Sequence, residues 1–204
     1  MIREFGVTSW GDPVHQITLQ SDDLAVSLLS LGAALQDVRL KNVPHSLTVG
    51  SPDIAAYEAG MQYSGTIMGP VGNRIGGGRA LIDGQEYAFD RNFLDQHTLH
   101  GGSAATHRKV WDIATQSATH VAFTISLPSD EGGFPGNRQI TARFDVERTT
   151  LTLPMTATTD APTLMNMCNH SYWNLGPNPT TRGHRLQITA DHYLPTGQPS
   201  TLPL

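Results

Sequence analysis

The chain has 204 residues, of which 38% are hydrophobic and 15% charged, and its formal net charge is −5 at pH 7. This length fits one β-sandwich or barrel with a sizeable core, so we predict a single domain over residues 1–204. Low charge with 20 glycines and 13 prolines favours strands and turns over helices. An acidic chain without a basic stripe is unsuited to a phosphate backbone, which argues against nucleic acid as a partner.

The sequence also bears on the compartment. Cys168 is the single cysteine, so no intrachain disulfide can form, which fits a reducing environment. The first six residues lack the charged-then-apolar layout of a secretion signal. No apolar run approaches the roughly 20 residues needed to cross a bilayer. We therefore expect a soluble, cytoplasmic protein without a membrane partner.

Short apolar-rich or alternating runs recur along the chain, separated by turn residues, and each predicts a strand. They are residues 14–20, 24–29, 35–40, 47–50, 80–89 (two strands around an Asp-Gly turn), 110–114, 121–127, 139–147, 151–158 and 186–190. Residues 52–60 are predicted to hold one helical turn with Asp53 as its N-cap. Residues 65–78 and 91–109 are predicted loops. The regular pitch is typical of an all-β sandwich or barrel.

The most chemically loaded segment is the heptapeptide from Asn169 to Leu175. It contains an imidazole, a phenol, an indole and two carboxamides. Aromatic rings can cover the C–H faces of a polyhydroxylated ring, amides can bind its hydroxyls, and His170 can move a proton near neutral pH. The alternative is a strand whose aromatics pack the core and whose His170 is structural. The heptapeptide alone leaves both interpretations open.

Three further histidines, His97, His100 and His107, raise the question of a metal site. His97 and His100 have a spacing that converges on a helix, but Gly101-Gly102 follows at once and opposes a helix. The chain has no His-Glu-x-x-His pattern. We therefore predict that these histidines do not bind a metal.

The glycine-rich stretch 72–78 lacks the Gly-Lys-Ser/Thr ending of a nucleotide loop. Its Arg74 can present several fixed donors to sugar hydroxyls, or it can be a surface charge on a turn.

Cys168 and His170 are two residues apart and share a face if the segment is a strand, but an inert buried cysteine is the favoured interpretation.

Five motifs occur in order along the chain. They are Asn73-Arg74-Ile75 with Asp83-Gly84, Leu99-His100-Gly101-Gly102 with Trp111, Glu131-Gly132-Gly133-Phe134-Pro135-Gly136-Asn137, Asn169-His170-Ser171-Tyr172-Trp173-Asn174-Leu175, and Ala190-Asp191-His192-Tyr193-Leu194-Pro195. Taken together, they resemble the aldose 1-epimerase (galactose mutarotase) family, and the resemblance extends from about residue 32 to the end of the chain. Any one of them is a weak match, whereas five in register are a specific one.

The resemblance implies a large antiparallel β-sandwich with a sugar cleft on one sheet face and no cofactor. It implies interconversion of the α and β anomers of an aldohexose such as galactose or glucose by acid- and base-assisted ring opening. His170 would be the general acid, and His100 would take part in the same catalytic site. The expected substrate-binding residues are Arg74, Asn73, Tyr172 and Trp173. The oligomeric state stays open.

Two departures from the family qualify this expectation. The segment Gly69-Pro70-Val71-Gly72 stands where the family has Gly-Arg. Family members are also longer, and their catalytic glutamate lies beyond the matching region, whereas no glutamate follows Glu147 here. We therefore expect either a fragment or a C-terminally shortened member, which lacks the C-terminal strands and the base of the family. The alternatives are a non-catalytic carbohydrate-binding or sensing module and an epimerase of sugar phosphates.

Overall fold

The computed structural model describes residues 1–197. Within them lie fifteen strands and one short α-helix. In chain order they are β1 (Ile2–Val7), β2 (Pro13–Gln20), β3 (Leu24–Leu29), β4 (Ala34–Leu40), α1 (Ile54–Glu58), β5 (Ile67–Met68), β6 (Arg74–Ile75), β7 (Arg79–Ile82), β8 (Gln85–Ala88), β9 (Thr98–Leu99), β10 (Asp112–Gln116), β11 (His120–Leu127), β12 (Arg138–Glu147), β13 (Thr150–Thr152), β14 (Met155–Thr159) and β15 (Cys168–Asn169).

Two antiparallel sheets form the body of the fold. The first has the order β1-β2-β3-β4, and the second has the order β10-β11-β12, with β13 and β14 both paired to the long strand β12. Along β12, buried and more exposed positions alternate as period-2 geometry requires, with Ile140, Ala142 and Phe144 facing inward. The first sheet presents Ile17, Val26 and similar side chains to the same core.

The main hydrophobic core lies between these sheets, because its cluster joins buried residues of β2, β3 and β4 to those of β11 and β12. At its centre the rings of Phe123 and Phe144 meet edge to face, with their centroids 6.1 Å apart. Each such buried side chain contributes about 1.5–3 kcal/mol to folding relative to exposure. The antiparallel β-sandwich expected from the sequence is therefore the observed architecture.

Several local predictions are confirmed. Helix α1 begins after Asp53, whose carboxylate accepts a hydrogen bond from the Ala55 backbone N–H at 3.0 Å. The β7–β8 hairpin turns at Asp83-Gly84, both with positive φ, as a tight two-residue hairpin requires.

Other predictions are wrong in instructive ways. The strand predicted over residues 151–158 is two strands, β13 and β14, divided around Pro154, which has no N–H to give to a ladder. The first predicted strand of the second sheet, 110–114, begins two residues later, at Asp112. The strand predicted over 186–190 does not form, and Leu186 and Ile188 are 86% and 69% exposed. A strand needs a partner, and no described strand pairs with that segment. The N-terminal strand β1 was not predicted.

No helix among residues 1–197 combines the length and the apolar character that a bilayer crossing needs.

Truncating the core should destabilise the fold strongly. Phe123 is fully buried, so we expect Phe123→Ala to lower the free energy of unfolding by about 3–5 kcal/mol, because it loses transfer energy and leaves a cavity. Urea denaturation measures this value. Leu81→Ala is the matched control, since Leu81 is 72% exposed on the β7–β8 hairpin, and it should change the value little. Equal losses in both variants would contradict the placement of the core.

Candidate functional site

His170 is held by a short ladder that joins distant parts of the chain. Strand β15 pairs antiparallel with β5, and the pairing continues through the Thr66 carbonyl, which accepts from the His170 N–H at 2.9 Å. The Asn169 side chain donates to the Gly65 carbonyl at 2.8 Å. Gly65 is required here, because a Cβ at this position would lie 2.1 Å from the Leu35 carbonyl oxygen. The first sheet thus supports the segment that carries His170.

His100 is placed by a second two-residue ladder, β6 with β9. Beyond the ladder, the backbones of Asn73 and His100 both adopt positive φ. The His100 N–H donates to the Asn73 carbonyl at 2.9 Å, and the Asn73 N–H donates to Nδ1 of His100 at 3.1 Å. Because Nδ1 accepts a hydrogen bond, the proton of the neutral ring lies on Nε2. His100 is therefore fixed as a hydrogen-bond donor through Nε2.

The two ladders bring His100 and His170 together. Their ring centroids are 5.5 Å apart and the rings are nearly perpendicular, at 82°. Two residues that the motifs do not mark complete the group. The Tyr63 ring lies 5.2 Å from His100, 5.2 Å from His107 and 5.7 Å from His170, and the His107 ring lies 6.3 Å from His100. We call Tyr63, His100, His107 and His170 the histidine cluster.

Sequence reasoning missed the role of these two residues. His107 entered only as a weak metal candidate, and Tyr63 not at all. Both lie in irregular segments without hydrophobic periodicity, so no pattern marks the face on which their side chains lie.

Two members of the cluster are buried and neutral. His100 is 9% exposed, and burial, together with the nearby His170 and Arg74, lowers its pKa from 6.5 to about 4. His107 is 6% exposed, and burial, followed by His100, Arg108 and His170, lowers its pKa from 6.5 to about 3. Both imidazoles are therefore uncharged at neutral pH. His170 is half-buried and more accessible than either.

Arg74 is not a freely solvated surface charge. Its guanidinium carbon lies 4.5 Å from the centroid of the Phe93 ring, and Nη1 donates to the Asn73 side-chain oxygen. Its Nε is buried without a partner among the described residues. The side chain is thus fixed beside His100 with donor capacity to spare.

Tyr172 and Trp173 continue the His170 segment. The Tyr172 ring lies 5.1 Å from that of His170, and both Tyr172 and Trp173 are 46% exposed. Trp173 forms a bridge with Thr48, and the Val49 N–H donates to the Tyr172 carbonyl at 2.9 Å. Because side chains alternate along an extended segment, Tyr172 shares the face of His170 and Trp173 lies on the other face. The structure therefore joins Tyr172, but not Trp173, to the histidine cluster.

His97 and Cys168 have other surroundings. Nδ1 of His97 accepts from the Gly77 N–H at 3.0 Å, so this ring stabilises the glycine-rich turn. No group of three His, Cys, Asp or Glu side chains in residues 1–197 is arranged to hold a metal ion.

Cys168 is exposed, whereas a buried cysteine was predicted from the sequence. Its sulfur nevertheless faces Gly72, and this local burial raises the pKa of the thiol, which disfavours a nucleophilic thiolate.

The departure at Gly69-Pro70 has a clear structural setting. This peptide bond is cis, and the Gly69 carbonyl accepts from the Thr106 N–H at 3.1 Å. A Cβ on Gly101 would lie 2.4 Å from the same carbonyl, so the turn after His100 packs directly on this bond. The loop that carries Asn73 is thus supported by backbone contacts.

The buried neutral histidines predict an acid-sensitive fold. In the unfolded chain each takes up a proton below its ordinary pKa of 6.5, whereas in the folded chain His100 and His107 resist protonation down to about 4 and 3. Stability is therefore complete above pH 6.5 and falls as the pH drops below it, by up to about 1.4 kcal/mol per pH unit for each histidine. Urea denaturation at pH 7 and pH 5 measures the change.

His107→Phe should reduce this pH dependence, because it removes one of the two groups. His192→Ala is the control, since His192 is exposed and should leave the dependence unchanged. Equal free energies of unfolding at the two pH values would contradict the neutral burial of these rings.

Comparison with known proteins gives a consistent picture. The sequence pattern described as aldose 1-epimerase matches residues 15–204. The galactose mutarotase of Rattus norvegicus is 30% identical over 195 residues, covering 93% of this chain and 56% of the relative. The aldose 1-epimerase of Escherichia coli (strain K12) is 30% identical over 194 residues, with 92% and 56% covered. The chain thus spans about half the length of these curated relatives.

Solved structures agree in fold. A GalM/aldose epimerase homologue from C. elegans superposes with a TM-score of 0.85 at 28% identity, covering 92% of this chain and 59% of that one. Galactose 1-epimerase from Lactobacillus acidophilus superposes with a TM-score of 0.76 at 25% identity, covering 86% and 53%. The family pattern spans most of the sequence, and the five motifs lie within it in order. The chain belongs to the aldose 1-epimerase family.

Proposed function

We propose that this chain carries the acid half of an aldose 1-epimerase site, which interconverts the α and β anomers of an aldohexose. The observation that carries the proposal is the edge-to-face approach of His100 and His170, 5.5 Å between centroids, in a member of the epimerase family. Ring opening needs a proton at the ring oxygen and removal of the proton from the C1 hydroxyl. The C1–O5 bond then breaks, the aldehyde rotates, and closure yields the other anomer.

His170 is the proposed general acid. It is half-buried, its backbone is fixed by Thr66, and its side chain makes no hydrogen bond to another described residue. A ring with free nitrogens and partial access to solvent can take a proton from water and deliver it to the ring oxygen.

His100 is proposed to hold the sugar and cannot serve as the base in this arrangement. Its Nδ1 lone pair is used by the Asn73 N–H, and Nε2 carries the proton, so the neutral ring has no free acceptor. It can donate from Nε2 to a sugar oxygen. This division gives the two imidazoles separate roles at neighbouring oxygens.

The remaining proposed contacts follow from the geometry beside His100 and His170. Arg74, stacked on Phe93 and supported by Asn73, offers donors to hydroxyl groups. Tyr172 supplies an exposed aromatic face for the sugar C–H groups, whereas the equally exposed Trp173 lies on the other face of the segment. The proposed substrate is thus a small neutral aldose of the galactose or glucose type.

The base is proposed to lie outside the histidine cluster. In its neutral form His100 has no free lone pair, because Nδ1 accepts from the Asn73 N–H. The chain spans about half of its curated relatives, so complete acid–base catalysis is a proposal for the whole enzyme.

Polarimetry of freshly dissolved α-glucose or α-galactose tests the acid role. We expect the chain to speed the approach to equilibrium rotation, and His170→Ala to lower the catalysed rate by about 10²-fold or more, since a positioned acid is worth about 10²–10⁴-fold. The exposed His192→Ala is the control and should retain the rate of the unmodified chain. A chain no faster than buffer would reject catalysis by this half-site.

A second candidate function is a carbohydrate-binding or sensing module, and the exposed Tyr172 ring together with the spare donor of Arg74 favours it, since both could bind a sugar without moving a proton. Calorimetric titration with the same sugars separates the two. The binding module would be supported if the sugar still binds to His170→Ala and the unmodified chain does not speed the approach to equilibrium rotation. Absence of heat with any aldose would count against both functions.

A further inference from the structure

Tyr63 and His107 have a position that the family motifs do not explain. The Tyr63 ring is within 5.7 Å of all three imidazoles of the histidine cluster, centroid to centroid. His107 lies against Tyr63 and 6.3 Å from His100. Tyr63 thus packs against both proposed active imidazoles and against His107.

The backbone of Tyr63 is tied directly to that of His170. The Tyr63 carbonyl accepts from the Thr66 N–H at 3.3 Å and from the Thr66 hydroxyl at 3.1 Å. The carbonyl of the same threonine accepts from the His170 N–H at 2.9 Å. Thr66 is 1% exposed, so this link is shielded from water. A shift of Tyr63 would therefore disturb His170.

His107 is anchored to the same strand. The preceding Thr106 is fully buried, and its hydroxyl donates to the Ile67 carbonyl of β5 at 2.6 Å. The indole N–H of Trp111 donates to the Thr106 carbonyl at 3.0 Å. Both Tyr63 and His107 are thus fixed to β5 or the residue before it, which also pairs with the His170 segment.

The surroundings of His107 indicate that it acts through the size and shape of its ring, and not through hydrogen bonds or charge. Nδ1 is buried and has no partner among the described residues, an arrangement that is unfavourable for a polar atom. Burial, followed by the neighbouring His100, Arg108 and His170, lowers the pKa of His107, so the ring is neutral at pH 7. An aromatic ring of similar size without nitrogen should therefore fill the same space at no cost.

We propose that Tyr63 and His107 are positioning residues whose packed rings hold His100 edge-on to His170. The reaction they serve is the proposed anomer interconversion, so their effect on the rate rests on that function, whereas their effect on the imidazoles does not. The ring of Tyr63 keeps water from His100, and His107 supports Tyr63 from behind.

Imidazole carbon–proton NMR spectra of the 204-residue chain test the positioning. The groups that face His100 are His170 and Arg74, with Tyr63 and His107 packed on it. In Tyr63→Leu and in His107→Ala, we expect the His100 and His170 resonances to move. We also expect the titration midpoint of His100 to rise from about 4 towards 6.5, because water reaches the ring.

The conservative variants Tyr63→Phe and His107→Phe should restore both resonances and the low midpoint, since each keeps a ring. Tyr193→Leu is the matched control, because Tyr193 is 84% exposed, and it should change neither. If Tyr63→Leu does not fold, His107→Ala and the two phenylalanine variants decide. Unchanged resonances in the disruptive variants would overturn the proposal. The proposal would also be overturned if the phenylalanine variants shift the His100 and His170 resonances as much as the variants that lack the ring. The hydroxyl of Tyr63 or a nitrogen of His107, and not the ring, would then hold the imidazoles in place.

Polarimetry of the same variants supplies the link to catalysis. Displacement of a reacting group by about 1 Å can cost up to about 10²-fold in rate, so Tyr63→Leu should lower kcat more than it changes KM. Moved resonances with no catalysis in the unmodified chain would reject the proposed function and leave the positioning in place. Unmoved resonances in an active chain would reject the positioning alone.

Discussion

The hydrogen bond from the Asn73 backbone N–H to Nδ1 of His100 determines the chemistry of the candidate site. One amide fixes the tautomer of a buried imidazole, and with it the direction in which that ring can donate. The reciprocal bond from the His100 N–H to the Asn73 carbonyl closes the pair. Side-chain chemistry at this site is thus set by backbone geometry, in particular by two adjacent segments with positive φ. The same geometry leaves the neutral ring of His100 without a free acceptor nitrogen.

The sandwich is needed to make this arrangement rigid. The site is built on the ladders β5–β15 and β6–β9, each only two residues long, which would not be stable alone. They are fixed because β5 is part of the main core through Ile67, and because Gly65 packs without a Cβ against the Leu35 carbonyl. The energy comes from apolar burial between the sheets. The precision comes from a few buried hydrogen bonds at the ends of the ladders.

Much of the fold could be predicted from the sequence, because the alternation of apolar and polar residues indicates which face of a strand is buried. Strands such as β11 and β12 have one buried face, and the turn residues between them are conspicuous. The segment 186–190 shows the limit of this reasoning. Its pattern is that of a strand, yet strand formation depends on a partner, which the local sequence does not specify. Pro154 is the opposite case. A proline cannot donate an N–H to a strand ladder, so the sequence itself indicates the break between β13 and β14.

The candidate site was predictable only in part, for a related reason. Asn73, Arg74, His100 and His170 lie in family motifs, and the structure brings these four residues together. Tyr63 and His107 lie in irregular chain, where neither periodicity nor a motif indicates the direction of a side chain. Their proximity depends on long-range contacts through Thr66 and Thr106. Such contacts arise from tertiary packing, so only a three-dimensional structure reveals them.

Crowding imidazoles into one small region has an electrostatic consequence. Burial lowers the pKa of His100 and His107, and the neighbouring imidazoles lower it further, because a proton on one ring raises the cost of a proton on the next. The arrangement is tolerable because His100 and His107 stay neutral, so their desolvation requires no buried counter-charge. The rings of Tyr63, His100 and Tyr172 then pack around the more accessible His170.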